Sequence, residues 1–331
     1  MILILSSHGD DSTDYVMDWL AYYKEPVTRI NDSDLTDRAA LTIELSRSGV
    51  SMLVNKNIQL MDAKATWFRK FGLFFESNIY SPSKKLFEGK LHYFMHNEHD
   101  ALMNAIYAPL SLKTKWLCNP LIANNLSKFQ QLVAASRAGL DIPESRVTNR
   151  AGAVTQQVKN TFKRFLLKPL GECEVIFHKA LAYYITPQLL SPTLFSERVK
   201  ARFFPSLIQE YLEKDVELRI FFLDGVSYAM SIFSQLDEQT KVDYRNYNHK
   251  KPNRWVPFKL PLAISDSIKI MMESLQLNTG SVDMIKTKDG RYVFLEVNPK
   301  GQFDMVSKPC NYYLEEKIAL SLIKKKNENV Q

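Results

Sequence analysis

The segment SVDMIKTKDGRYVFLEVNP (281–299) constrains the fold more than any other stretch, because an Asp289-Gly290 turn between two β-rich runs predicts a hairpin of fixed register. With a two-residue loop, Lys288 faces Arg291, Ile285 faces Phe294, Met284 faces Leu295, and Asp283 lands opposite Glu296. Directly opposed side chains stand roughly 4.5–5.5 Å apart at Cβ, and like charges there destabilise the pair. Something must neutralise them. Asn298 lies two residues beyond Glu296 and shares its face of the strand. Three hard oxygen donors of this kind suit Mg²⁺, which keeps several waters and completes its shell with nucleotide phosphates. A carboxylate pair that shares a proton, or that faces solvent at an edge, is the competing reading. The apolar residues interleaved on both strands argue for burial and for the metal.

The rest of the chain reads as alternating strands and helices. MILIL (1–5) is a buried strand, followed by a polar loop and a helix through Val16, Met17 and Leu20 that Asp11 or Ser12 would cap. Apolar runs at PVTRI, ALTIEL, VSMLV and ATWFRKF predict a small mixed sheet in the first hundred residues. An amphipathic helix is expected over 83–107, with a boundary at Pro109 and the polar SLKTK. A second helix is expected over 120–138, ended by Gly139 with Pro143 beyond it. Strands follow at FKRFLLKPL and VIFHKA, and two β-rich runs within 206–235 carry an Asp224-Gly225 turn. A polar, basic stretch at 237–259 breaks the order before a helix at 265–277, the 281–299 hairpin and a closing helix in LEEKIALSLIKKK. No internal repeat or low-complexity segment occurs.

Composition narrows the function. At 331 residues the chain suits two or three lobes with a cleft between them. Forty-three Lys and Arg against thirty-six Asp and Glu leave +7, which favours anionic partners such as nucleotides or acidic peptides, or serves solubility alone. The charge forms no stripe interleaved with periodic aromatics, so no nucleic-acid partner is expected. Cys118, Cys173 and Cys310 are odd in number and far apart, which excludes a disulfide framework and fits a reducing compartment. No signal peptide or membrane-length apolar run is present, so a cytoplasmic location is expected.

Eleven glycines spell neither of the common phosphate-cradling loops. Lys128, near the start of the helix after Pro120, and Lys168, at the end of RFLLKP, are the candidate point charges for phosphate.

The ordered set ANNLSKFQQLVAASRAGLDIPESRVTN, FLLKPLGE, IQEYLEKDVELRIF, DYR and VDMIKTKDGRYVFLEVNPKGQF resembles the ATP-grasp superfamily. Within it, the chain looks like the graspetide (microviridin-type) peptide maturases, nearest the grasp-with-spasm branch, whose members share a MILILS-like start and an NPKGQF-like ending. The likeness runs over nearly the whole chain and is most specific from about 116 to 310. It implies an α/β (α+β) fold in three parts: an N-terminal mixed lobe (1–115), a central lobe with the phosphate lid (116–205), and a C-terminal antiparallel-sheet lobe with the Mg²⁺ site (206–331). The nucleotide would lie between the last two.

By the same resemblance, Lys128 and Lys168 match the ATP-phosphate lysines, and Gln209, Glu210, Tyr211 and Leu212 match the hinge whose backbone reads adenine. Glu213 or Glu217 would take the ribose. Arg219, Arg245 and Asn246 match residues near the transferring phosphate, and Asp283, Glu296 and Asn298 match the magnesium ligands. One departure stands out: KPLGECEVIF supplies only Gly171 where many relatives have a glycine-rich lid. The implied cofactors are ATP and Mg²⁺. The implied partner is a ribosomal precursor peptide with leader and core, whose Asp or Glu side chains become acyl phosphates and are linked to Ser, Thr or Lys. A radical-SAM/SPASM protein and a homodimer are further expectations of the resemblance. A ligase that adds a free amino acid, and an ATP-binding regulatory protein without turnover, are the rival readings; the intact Asp283, Glu296 and Asn298 set speaks against the second.

Three further features are read blandly. His92, His96 and His99 recur at helical spacing but lack a zinc-protease order, so they are expected on a surface helix. Cys310 has no nearby histidine and is expected to be a buried thiol. The stretch 241–259, with six Lys or Arg against one Asp, reads equally as a basic wall of the site or as a solvated loop.

Overall fold

The computed structural model describes residues 1–35, 40–72, 90–152, 154, 164–171, 174–178, 181–185, 187–190, 201–237, 239–240 and 248–328. Of the first strands, β1 (Ile2–Ser6) is buried at all five positions, as its unbroken apolar run requires of an inner parallel strand. It lies between β2 (Val27–Asn31) and β6 (Ala65–Phe68), and β7 (Lys115–Leu117) extends this four-stranded parallel sheet beyond β6. Between β2 and β6 the chain forms a small antiparallel sheet of β3 (Leu41–Ser46), β4 (Gly49–Val54) and β5 (Ile58–Gln59).

Helix α1 (Asp11–Tyr22) follows β1, with Asp10 rather than Asp11 or Ser12 at its N-cap position. Helix α2 (Lys90–Ser111) runs past Pro109 instead of stopping there. A proline two residues from the end removes one backbone hydrogen bond but meets few further turns. The 83–89 part of that expected helix lies outside the described residues.

The predicted single helix at 120–138 is two: α3 (Pro120–Ala123) and α4 (Lys128–Arg137). The break comes from Ser127, whose hydroxyl accepts from the Gln130 amide while the Gln130 side chain accepts from the Ser127 amide. This capping box starts a new helix and makes Lys128 its first residue. Gly139 ends α4 at φ +84°, a conformation glycine adopts without strain.

The central part holds an antiparallel sheet ordered β12 (Gln188–Leu190), β9 (Phe165–Lys168), β13 (Arg202–Glu210), β8 (Ser145–Arg150), together with the hairpin β10 (Glu174–His178) and β11 (Leu181–Ile185). The last sheet is antiparallel and five-stranded: β16 (Trp255–Phe258), β15 (Val226–Ile232), β14 (Lys214–Leu223), β17 (Thr279–Thr287) and β18 (Tyr292–Asn298). Strand β16 sits inside the polar stretch that the sequence reads as irregular; pairing with β15 overrides its weak pattern.

Both faces of the last sheet are covered. Leu218, Ile220, Val282, Met284 and Phe294 pack against α4 and α5 (Leu262–Ser274). On the other face Phe221, Leu223, Met230 and Ile232 share one core with β1, α1, α6 (Asp304–Cys310) and α7 (Leu314–Asn327). Phe303, fully buried, joins the two sheets between Trp67 and Phe221; truncating such a residue to alanine typically costs about 3–5 kcal/mol.

Candidate active site

The hairpin places Asp283 opposite Glu296, but not by the route a two-residue turn implies. Thr287 and Arg291 close the loop, with Gly290 donating back to the Thr287 carbonyl at 2.9 Å, so the loop has three residues. Met284 therefore faces Phe294 and Ile285 faces Val293, one position off the expected register. A bulge at Leu295 then restores it, and Asp283 meets Glu296. The two departures cancel at the carboxylates.

Each carboxylate has a cation. Arg219, paired with Asp283 across β14 and β17, donates from Nη1 to both of its oxygens at 2.6 Å. Lys128 Nζ stands 3.4 Å from Glu296 Oε2, and α4 is fixed to β18 by the Val297 amide donating to Gln131 Oε1 at 2.9 Å. Asn298 accepts the Lys300 amide at 3.0 Å through Oδ1. The following loop is pressed against β17: a Cβ on Gly301 would lie 2.3 Å from Ser281 Cβ, which only glycine avoids.

A cleft between the central and last sheets ends at this pair. Lys168, Gln209, Glu210, Tyr211, Leu212, Glu217, Asp283 and Glu296, all singled out in the sequence, line it. Lys168 Nζ donates to Gln209 Oε1 at 2.5 Å, and the buried Gln209 in turn donates to Ser145 Oγ at 3.0 Å. Leu166, Ile285 and Leu295 add apolar walls. At the hinge, the amides of Glu210 and Tyr211 donate to the carbonyls of Glu144 and Arg164, both at 2.8 Å.

The two ribose candidates separate. Glu213 points outward, 3.1 Å from Arg164 and 3.5 Å from Lys288 with its side chain 63% exposed, and is not among the lining residues. Glu217 faces the cleft, held by Lys214 Nζ at 2.8 Å and Ser234 Oγ at 2.6 Å. Lys214 is a residue that alternation misses. Positions three apart face opposite sides of a regular strand, but a bulge at Asp215 puts Lys214 and Glu217 on one face. Arg245 and Asn246 lie outside the described residues.

Arg69, at the end of β6, was also not legible. It is 2% exposed and donates from Nη1 to the carbonyls of Lys300 (2.5 Å) and Gly301 (2.8 Å) and from Nη2 to Gln302 Oε1, so the first sheet grips the loop that follows Asn298. Asp10 pairs with it. Burial disfavours the Asp10 carboxylate, but Arg69, the Thr13 and Ser12 hydroxyls and Lys70 outweigh that and hold its pKa at about 2. Burial raises the Cys118 and Cys310 thiols to about 12 and about 11, so neither is a ready nucleophile. His96 lies 57% exposed on α2.

Solved structures with a similar fold cover nearly the whole chain. A RiPP-associated ATP-grasp ligase of Chryseobacterium gregarium, in complex with ADP and a leader and core peptide, superposes with TM-score 0.83 at 22% identity, over 98% of this chain and 96% of that one. The fold is ATP-grasp. The macrocyclase MdnC of Microcystis aeruginosa MRC, bound with precursor peptide MdnA, gives 0.80 at 22% identity over 98% and 99%. The ATP-grasp ligase PsnB, complexed with a minimal precursor, Mg and ADP, gives 0.78 at 18% over 98% and 97%. The sequence matches no protein-family model and no curated relative. Within the ATP-grasp fold of this chain, the cleft bounded by Lys168, the 209–212 hinge and the Asp283–Glu296 pair lies between the β12-β9-β13-β8 sheet and the five-stranded sheet. No helix among the described residues is long and apolar enough to cross a membrane.

Proposed function

We propose that the chain is an ADP-forming ligase that links a side-chain carboxylate of a ribosomally made peptide to a hydroxyl or amine of the same peptide. The observation that carries this reading is the Asp283–Glu296 pair at the end of the cleft, flanked by Arg219 and Lys128. The donor set fits Mg²⁺. Asp283, Glu296 and Asn298 offer hard oxygens on one face, and a carboxylate oxygen already accepting from Arg219 keeps a second lone pair. Bound there with the nucleotide, the ion would neutralise phosphate charge.

The chain's own residues supply the rest. The Leu212 amide becomes the hinge donor to a purine, because the Glu210 and Tyr211 amides are already engaged. Leu166, Ile285 and Leu295 sandwich the base, and Glu217, held in place by Lys214 and Ser234, takes the ribose hydroxyls. Lys168 and Lys128 hold phosphates, and Arg219 stands near the γ-phosphate. A peptide carboxylate oxygen attacks the γ-phosphorus, the bond to the β-phosphate oxygen breaks, and ADP leaves with the electron pair. The peptide's hydroxyl or amine then attacks the acyl phosphate, loses its proton, and phosphate departs. The peptide complexes among the structural neighbours support a substrate with leader and core segments.

Incubation with ATP, Mg²⁺ and a peptide carrying Ser, Thr or Lys beside Asp or Glu tests the reading. Loss of one water per ring, with ADP and phosphate as products, is expected. AMP as the stoichiometric product, or a gain in mass from an added amino acid, would overturn it.

A further inference from the structure

A second cavity, of about 520 Å³, shares no lining residue with the nucleotide cleft. Its walls come from the segment after β6, from α2, from the α3–α4 loop and from the loop after β18, through Lys70, Asn104, Tyr107, Asn124, Asn125 and Lys300. Two of these walls lead straight to the proposed phosphate end. Lys300 is two residues past Asn298 and donates its amide to that side chain, and Asn125 is three residues before Lys128, whose ammonium faces Glu296. Through Lys300 and Asn125 the second cavity is thus walled by the loops that carry Asn298 and Lys128, and its volume is within the usual range for ligand sites.

The second cavity has the chemistry of a carboxylate receptor. Lys300 Nζ donates to Asn124 Oδ1 at 3.2 Å and lies 5.5 Å from the Phe68 ring centre, and among the described residues it has no carboxylate partner. Asn104, Asn124 and Asn125 add neutral donors. Asp100, the one acidic lining residue among those described, is 58% exposed and within 3.2 Å of His96 and 3.3 Å of His99. Lys70 is already matched by Asp10 at 3.1 Å. Among the described lining residues, Lys300 is therefore the lysine without a carboxylate and the one open to an incoming anion.

We propose that this cavity receives the acidic side chain of the peptide core, with Lys300 as the anchor that selects carboxylate over amide. The proposal deepens the ligase reading and rests on it. In-line displacement needs the carboxylate on the side of the γ-phosphate opposite the departing ADP, and the cavity is walled by the loops next to Asn298 and Lys128, the residues proposed to hold metal and phosphate. Lys300→Gln tests the charge alone, since glutamine can still donate to Asn124, and Asn104→Phe fills the cavity without touching Lys300.

The probes are N-acetyl-glutamate methylamide and its glutamine counterpart, titrated by NMR with a non-hydrolysable ATP analogue and Mg²⁺ present. Nucleotide affinity is measured in parallel by calorimetry. Wild type should prefer the glutamate probe by about tenfold, as a charge-assisted contact predicts. Lys300→Gln should erase the preference, Asn104→Phe should weaken both probes, and nucleotide affinity should hold in both variants. Equal or undetectable binding of the two probes to wild type, or a preference that survives Lys300→Gln, overturns the assignment while leaving the ligase reading intact. A wild-type protein that binds no nucleotide removes the ligase reading, and this proposal with it.

Discussion

Arg219 on β14 and Asp283 on β17 are directly paired in the ladder, and Arg219 Nη1 donates to both Asp283 oxygens at 2.6 Å. The same Asp283 faces Glu296 on its other side, and Glu296 meets Lys128. Two carboxylates and two cations thus balance in a mostly buried row. Arg219→Met should lower stability by about 3–5 kcal/mol, the usual cost of stranding one partner of a buried pair. Urea midpoints with and without Mg²⁺ provide the check: the variant should regain part of the loss on adding Mg²⁺, and more than wild type does. No Mg²⁺ response would mean the carboxylates do not act as a metal site.

Glu296→Gln removes one charge with little change in shape. ATP consumption with peptide should fall by at least about a hundredfold, in line with losing an electrostatic stabiliser of the transition state. The far-ultraviolet circular dichroism spectrum should stay that of the wild type. Near-normal ATP consumption at ordinary Mg²⁺ would refute the metal assignment.

Lys168→Ala removes the ammonium that now donates to Gln209 Oε1. If Lys168 turns to phosphate when nucleotide binds, calorimetry should show affinity weakened by about 1.5–3 kcal/mol, the worth of a hydrogen bond to a charged group. Unchanged affinity would remove Lys168 from the phosphate site.

Asp10 ties acid stability to the grip on the loop after Asn298. Its folded pKa is about 2 against 3.8 in the unfolded chain, so its contribution is complete above pH 3.8 and is lost as pH falls toward 2. At 1.36 kcal/mol per pKa unit the contribution is about 2 kcal/mol. Asp10→Asn should destabilise the protein at pH 7, because Arg69 loses its buried carboxylate. The gap between wild type and variant, measured by urea unfolding at several pH values, should narrow between pH 4 and pH 2. A constant gap across that window would show that the carboxylate is not ionised in the way its surroundings dictate.

Many of the residues that line the cleft were named from the sequence, the two carboxylates by hairpin register and the 209–212 run by resemblance to the ATP-grasp superfamily. The pairing of Asp283 with Glu296 was reached from the Asp289-Gly290 signal, although the loop has three residues and a bulge at Leu295 makes up the difference. Alternation along β14 sets Glu217 and Arg219, both named from the family resemblance, on one face of the strand. It could not show that a bulge at Asp215 turns Lys214 toward Glu217, because a bulge is set by which strand lies alongside.

The sequence by itself determined the run of strands and helices and the oxygen-rich hairpin, since each depends on local periodicity and turn chemistry. Tertiary structure alone decided which distant residues complete the site. Ser127 is local, yet only the docking of α4 on β18 through Gln131 carries Lys128 to Glu296. Arg69 reads as an ordinary basic residue until the first sheet packs against the last and buries it beside the Lys300 and Gly301 carbonyls. The second cavity is likewise bounded by segments between residues 70 and 300 that no local pattern links. Such contacts depend on how whole sheets and helices settle against one another to bury their apolar faces, and that arrangement is a property of the folded chain as a whole.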